Sequence, residues 1–273
     1  MRINTNVMAL NAQNMLAGNQ SGVQKSINKL SSGLRINSAA DDAAGLAISE
    51  KMRSQIRGLD QAESNAQDGI SLIQTAEGAL QQTTDILQRM RELVIKAENS
   101  GVLSPEDETA IDTEMAELSS EIDRIALSTT FNGKTLLDGS RKEDAQALAF
   151  KIGANTLEQD TLSVTIGSMK ASDLSVDNIT TETDDALTKI DAAIQTVSSQ
   201  RAKLGAVQNR MEYAIESITV TGENLTSAES RIRDVDMAAE MVNFTKNNIL
   251  QQSAMSMLAQ ANQQPMQILS LLQ

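Results

Sequence analysis

The chain has 273 residues, a net charge of −13 and no His, Cys or Trp. Those absences exclude Ser-His-Asp and Cys-His catalysis, histidine or thiolate zinc sites, c-type haem attachment and disulfides. Three Phe and one Tyr give no stacking platform for single-stranded nucleic acid. Two Pro and 40% apolar residues leave long stretches free to be helix and argue against general disorder.

The charge is regional. Residues 1–59 hold seven Lys or Arg against three acids, 231–273 hold three of each, and 60–230 hold 13 basic against 30 acidic groups. The excess negative charge therefore sits in the middle, where it repels phosphate backbones and anionic lipid, so neither nucleic acid nor membrane surface is an expected partner. The first 24 residues carry one charge, Arg2, and residues 242–273 carry one, Lys246. Both ends are suited to burial.

Starting from the N-terminus, Asn4, Asn6, Asn11, Gln13 and Asn14 interrupt the apolar residues, which rules out the continuous apolar core of a cleavable signal. No run approaches the roughly 20 apolar residues of a membrane span, so membrane insertion is not expected. Ile3, Val7 and Leu10 open a helix whose stripe continues through Leu16, Val23, Ile27, Leu30 and Leu34. A second helical stripe includes Leu72, Ile73, Ala76, Leu80, Leu87, Met90, Leu93 and Val94, and a third reads Ile111, Met115, Leu118, Ile122 and Ile125. Between those two, Gly101 suits a left-handed helix end, Ser104 a cap, Pro105 the first turn and Asp107 a capping-box return. That spacing predicts a helical hairpin.

Helical patterning fails from 128 to about 182. Phe131-Asn132-Gly133-Lys134 reads as a hairpin turn, and alternation at Phe150 and Ile152 and at Leu162, Val164 and Ile166 reads as strand. Heptad spacing then resumes at Leu187, Ile190, Ile194, Val197, Arg201, Leu204, Gln208, Met211, Ile215, Ile218, Gly222, Leu225, Glu229 and Ile232. As one helix this segment would be roughly 70 Å long. After a one-residue slip near 233–236 the stripe continues through Met237, Met241, Phe244, Asn248, Gln251, Met255, Leu258, Asn262, Pro265, Leu269 and Leu272.

The predicted fold class is all-α: an elongated helical bundle of long coiled-coil helices with a small β-hairpin element and paired N- and C-terminal helices. The expected divisions are 1–45, an N-terminal core helix and connector; 46–130, rod helices; 131–183, a small β element topping the rod; 184–232, a C-terminal rod helix; and 233–273, a C-terminal core helix. Neither terminal helix could stand alone in water, so Ile3, Val7, Leu10, Met241, Phe244, Met255, Leu258, Leu269 and Leu272 are candidate assembly residues.

Chemical motifs are weak. Gly133-Lys134-Thr135 ends like a phosphate-binding loop, but Ser128 stands where that motif needs Gly, and a helix precedes it. Asp41-Asp42 and Asp184-Asp185 suit helix capping better than acid-base work. The 13 Met are read as core filling, with Met237, Met241 and Met255 placed to pack a partner helix. No catalytic, metal or cofactor site is assigned, and the chain is not expected to be an enzyme.

Several tracts resemble bacterial flagellin. They are MRINTN at the start, KLSSGLRINSAADDAAGLAISE at 29–50, ILQRMREL at 86–93, FNGKTLLDG at 131–139, SSQRAKLGAVQNRM at 198–211, RIRDVDMAAEM at 231–241 and NILQQSAMSMLAQANQQP at 248–265. The resemblance spans nearly everything except 140–185, where longer flagellins carry outer domains, and so implies a short form. A structural subunit that homopolymerises into the extracellular flagellar filament of a motile bacterium is implied. Implied partners are the export apparatus, a secretion chaperone holding the C-terminal segment while the ends are disordered, and the cap and hook-junction proteins. Position in the ILQRMREL tract also implies contact with a Toll-like innate receptor of a host through Arg89, Leu93 and Glu114. The alternative is that Arg89 and Glu114 are solvated rod residues and Leu93 part of the buried stripe. A hook-filament junction protein or a secreted coiled-coil adhesin is the competing reading, and a junction protein would match at the ends but not at 86–93 and 198–211.

Overall fold

A computed structural model describes residues 6–99, 104–141, 147–155, 158–177, 179–180 and 185–271. Five helices occur among them: α1 Val7–Ser32, α2 Ala43–Ala97, α3 Pro105–Ser128, α4 Ala186–Arg233 and α5 Met237–Leu271. Four short strands, β1 Thr130–Phe131, β2 Lys134–Thr135, β3 Leu148–Lys151 and β4 Thr161–Val164, form two antiparallel hairpins. The chain divides into two units, Met1–Ser54 with Glu223–Gln273, and Gln55–Gly222.

The second unit carries the main core, built from α2, α3, α4 and the segments between α3 and α4. α3 begins as its sequence predicts. Ser104 Oγ accepts from Asp107 N, Asp107 Oδ2 accepts from Ser104 N at 3.0 Å, and Pro105 occupies the first turn. Gly101 lies outside the described residues. Ion pairs join neighbouring helices at Arg89–Glu114 (2.9 Å), Arg91–Asp191 (2.8 Å) and Arg201–Glu77 (3.6 Å).

On α4, Ile190, Val197, Leu204, Met211 and Ile218 are buried at intervals of seven, as the heptad pattern requires. The intervening buried positions are Ala186, Ala193 and Gln200, whereas Leu187, Ile194 and Arg201 are only half-buried. The intervening positions of the stripe therefore fall one residue earlier than the three-four reading gives. The cause lies opposite Gln200, whose Nε2 donates to Thr165 O at 3.2 Å: a loop, not a helix, covers that edge of α4.

The β3–β4 hairpin corrects the expected placement of the β element. It does not cap the rod but lies along α2 at residues 58–69. Asn65 Nδ2 donates to Lys151 O at 3.2 Å, and a Cβ on Gly69 would sit 2.9 Å from Met211 Cε and 3.1 Å from Phe150 Cδ1. Helix length explains it. At 1.5 Å per residue α3 spans about 36 Å, and the second unit's share of α2 about 65 Å, so α3 leaves nearly half of α2 without a third layer. Phe150, Leu162 and Val164 supply that layer.

The turn at 131–134 follows the sequence. Asn132 (φ 49°) and Gly133 (φ 74°) both take positive φ, as a two-residue hairpin of this kind demands. Leu136 and Leu137 are then fully buried, and the loop after β4 places Ile166, Met169, Ala171, Leu174, Val176 and Ile179 in the core. Asp123 Oδ1 accepts from Ala171 N at 2.7 Å and ties this loop to α3.

Candidate functional site

In the first unit, α1 and α5 pack along each other. Asn6 works at both ends of its amide: Oδ1 accepts from Ala9 N at 3.1 Å and starts α1, while Nδ2 donates to Ala261 O at 2.7 Å on α5. The seam is lined by small and polar residues, including Ala9, Ala12, Asn19, Ser26, Asn247 and Ala254, with Leu16, Phe244 and Leu258 among the larger ones. A Cβ at Gly22 would lie 3.0 Å from Asn247 Nδ2 and 3.3 Å from its Cγ, so the Asn247 side chain packs directly against the Gly22 backbone.

Most of the large apolar side chains of this pair face away from the seam. Val7, Met8, Leu10, Met15, Met237, Met241, Val242, Ile249, Met255 and Met257 are all at least 48% exposed. One groove of about 350 Å³ is lined by Met8, Ala12 and Met15 from α1 and by Leu250, Ala254 and Met257 from α5. Large contiguous apolar surface of this kind is uncommon on a monomer.

The candidate assembly residues accordingly split into two sets. Phe244 and Leu258 turn into the α1–α5 seam, while Val7, Leu10, Met241 and Met255 stay open. Ile3 and Leu272 lie outside the described residues, as does the side chain of Leu269. A single stripe read from spacing had merged two faces.

The connection between α1 and α2 is fixed by local caps and by the α4–α5 link. Gly33 (φ 70°) ends α1 and returns its N–H to Lys29 O, and its carbonyl accepts from Val235 N at 3.0 Å. Arg35 N donates to Arg233 O at 2.6 Å, with Leu34 and Asp234 paired between them. The two aspartates are caps: Asp42 Oδ1 accepts from Gly45 N at 2.9 Å, and Asp41 Oδ2 accepts from Ser38 N and Oγ and from Asn37 N. Those bonds, foremost the one from the Ser38 amide, hold the Asp41 carboxyl below the usual carboxylate range.

Ser49, Glu50, Glu229 and Arg233 form a network in this unit that the sequence reading missed. Ser49 is fully buried and donates to Glu229 Oε1 at 2.9 Å, and Arg233 Nη1 reaches Glu50 Oε1 at 2.9 Å. The signal was Glu229, an acid on the helical stripe. A charge at such a position needs a partner.

On the second unit, Arg89 donates to Glu114 and to Glu92, and its hydrogen bonding to the Glu114 carboxylate raises its pKa. Arg89 and Glu114 are half-exposed together on the surface of α2 and α3. Leu93 does not join them. At 2% exposed it belongs to the core, because its helix turns that position toward α3 and α4.

Long helices around one core, with a terminal helix pair whose large apolar side chains stay open, are features of the class of structural subunits that polymerise. Family models agree: the bacterial flagellin N-terminal helical region matches residues 3–142, and the bacterial flagellin C-terminal helical region matches 187–272. The chain is 54% identical over 305 residues to a flagellin of Bacillus subtilis (strain 168) and 51% identical over 288 residues to the flagellar filament 33 kDa core protein of Treponema phagedenis, with the whole of each chain covered. A putative flagellar hook-associated protein from Vibrio parahaemolyticus shares the fold, with a TM-score of 0.58 at 13% identity over 71% of this chain and all of that one. The chain belongs to the flagellin family, and it is a structural subunit of the flagellar filament. No helix among the described residues is long and apolar enough to cross a membrane.

Proposed function

We propose that the open apolar faces of the α1–α5 pair are the seams along which copies of this chain stack into an extracellular filament used for swimming. The observation that carries this reading is the outward placement of Val7, Met8, Leu10, Met15, Met241, Met255 and Met257 on a pair that is otherwise complete. Burying one large apolar side chain contributes on the order of 1.5 to 3 kcal/mol, and a helical polymer repeats that gain at every subunit. The export apparatus passes the chain, a secretion chaperone holds the C-terminal segment, and cap and hook-junction proteins bound the growing filament. Light scattering after seeding, with electron microscopy of the product, tests the reading. Full-length chain should elongate seeds, and a chain lacking 242–273 should stay a soluble monomer; filaments growing at the normal rate from the truncated chain would overturn it.

The Arg89–Glu114 surface is the part of the rod we assign to a Toll-like innate receptor of a host, with Leu93 supporting Arg89 from within the core. An Arg ion-paired on an exposed helical surface is a common interface anchor. Receptor activation by Arg89→Ala monomer should fall, and wild-type potency in that variant would remove Arg89 from the contact.

A further inference from the structure

Methionine is partitioned between the two units. Among the described side chains, Met90, Met115, Met169 and Met211 in the second unit are 0–2% exposed, whereas in the first Met8, Met15, Met237, Met241, Met255 and Met257 are 48–68% exposed and Met52 is intermediate. Core filling accounts for the first group. It does not account for the second, whose thioethers stand open to solvent on the terminal pair. Met8 and Met15, seven residues apart on α1, face Met257 of α5 across the groove described above, while Met241 lines a second hollow on α5 with Val242 and Ile249.

Thioether sulfur is nucleophilic, and its reactivity toward peroxide is governed by access. We propose that these six methionines are a reversible oxidation site that switches off subunit assembly. The sulfur lone pair attacks one oxygen of hydrogen peroxide, an S–O bond forms as the O–O bond breaks, and the departing hydroxide takes the proton from the new S–OH group, leaving sulfoxide and water. Sulfur is oxidised by two electrons to the sulfoxide, and the peroxide is reduced. A flexible apolar side chain that fills an irregular seam becomes a polar one that holds water there. The four core methionines are shielded, so the second unit keeps its fold. Stacking along these faces covers the sulfurs, so the free subunit is the sensitive form and the assembled filament is protected.

This inference rests on the assembly role assigned to the same faces, and the experiment separates the two. Monomer is treated with hydrogen peroxide, the site of each gain of about 16 Da is mapped by peptide mass, and seeded elongation is followed by light scattering. Untreated chain that fails to elongate counts against the assembly role alone. With untreated chain elongating, the six methionines should oxidise first, elongation should slow by at least about tenfold, and thermal unfolding of the second unit should not move. Oxidised chain elongating at the untreated rate overturns the proposal. A variant with the six positions changed to Leu should elongate normally after the same treatment, and equal loss in that variant would also overturn it. Should the six-Leu variant not elongate even before treatment, methionine sulfoxide reductases of both stereochemical classes are applied to the oxidised wild-type chain: recovery upholds the proposal and persistent loss overturns it. Filaments given the same peroxide should retain unmodified Met8, Met15 and Met257, and modification there at the monomer rate would contradict the assignment.

Discussion

Ser49 Oγ donates to Glu229 Oε1 at 2.9 Å across 180 residues of sequence, from a side chain with no exposed surface. Arg233 adds a second donor toward the same place through Nη1, 3.4 Å from Ser49 Oγ and 2.9 Å from Glu50 Oε1. Two acids, one cation and one hydroxyl thus tie the start of α2 to the end of α4. Ser49→Ala removes one donor and leaves the Glu229 carboxylate less satisfied, at a cost of about 1 to 3 kcal/mol. Hydrogen exchange should speed up in residues 44–52 and 226–236 while the second unit is unchanged. Uniform acceleration across both units would show the contact to be part of a larger cooperative block.

Gly69 sits in mid-helix, where Gly costs roughly 0.5 to 1 kcal/mol relative to Ala. Its value is space: Met211 Cε and Phe150 Cδ1 would lie 2.9 and 3.1 Å from a Cβ there, closer than van der Waals contact allows. Gly69→Val should push Met211 and Phe150 off their rotamers and destabilise the second unit by about 1 to 3 kcal/mol, despite removing a flexible residue. Urea unfolding measures it. A variant as stable as the parent would mean that the β3–β4 hairpin contributes little to covering α2.

Asp138 gives the loop after β2 a defined pH response. Its carboxylate accepts from Ser140 N at 2.9 Å and Thr135 Oγ1 at 2.7 Å, and hydrogen bonding from Ser140, with Thr135 and the Lys170 charge adding, lowers its pKa to about 2. A folded-state value below the unfolded value of about 3.9 means the stabilisation is complete above pH ~4 and is lost as pH falls toward 2. Partial exposure screens it to roughly 1 kcal/mol. The melting temperature of the second unit should drop between about pH 4 and 2, and Asp138→Asn should flatten part of that slope. An unaltered slope would place the acid sensitivity on Asp107 and Glu121, whose carboxyls are also lowered.

Periodicity made the helices legible because one buried face leaves a repeating trace, and the Ser104–Asp107 box and the Asn132-Gly133 turn were legible because each is decided within four residues. Contacts between distant segments were not. Nothing near Gly69 names Phe150, and nothing near Ser49 names Glu229, although an acid at a stripe position signalled a partner. Spacing also cannot divide one apolar stripe between two partners. Met255 and Leu258 lie three residues apart on α5 and read as one face, yet one is open and the other turned into the seam.

That division predicts different responses to substitution. Leu258→Ala hollows the seam inside one subunit, at about 1 to 3 kcal/mol for a half-buried leucine. Met255→Ala removes surface that only a neighbouring subunit can cover. Both raise the critical concentration for filament growth, tenfold for each 1.4 kcal/mol, so that measurement alone does not separate them. A covalent clamp does. The chain has no Cys, and the close approach of Gly22 to Asn247 suits a disulfide formed by Gly22→Cys with Asn247→Cys. With the α1–α5 pair clamped, the defect from Leu258→Ala should shrink, because the bond supplies the pairing that the cavity weakened, whereas the defect from Met255→Ala should persist in full. Equal rescue of both variants would place Met255 in the seam with Leu258.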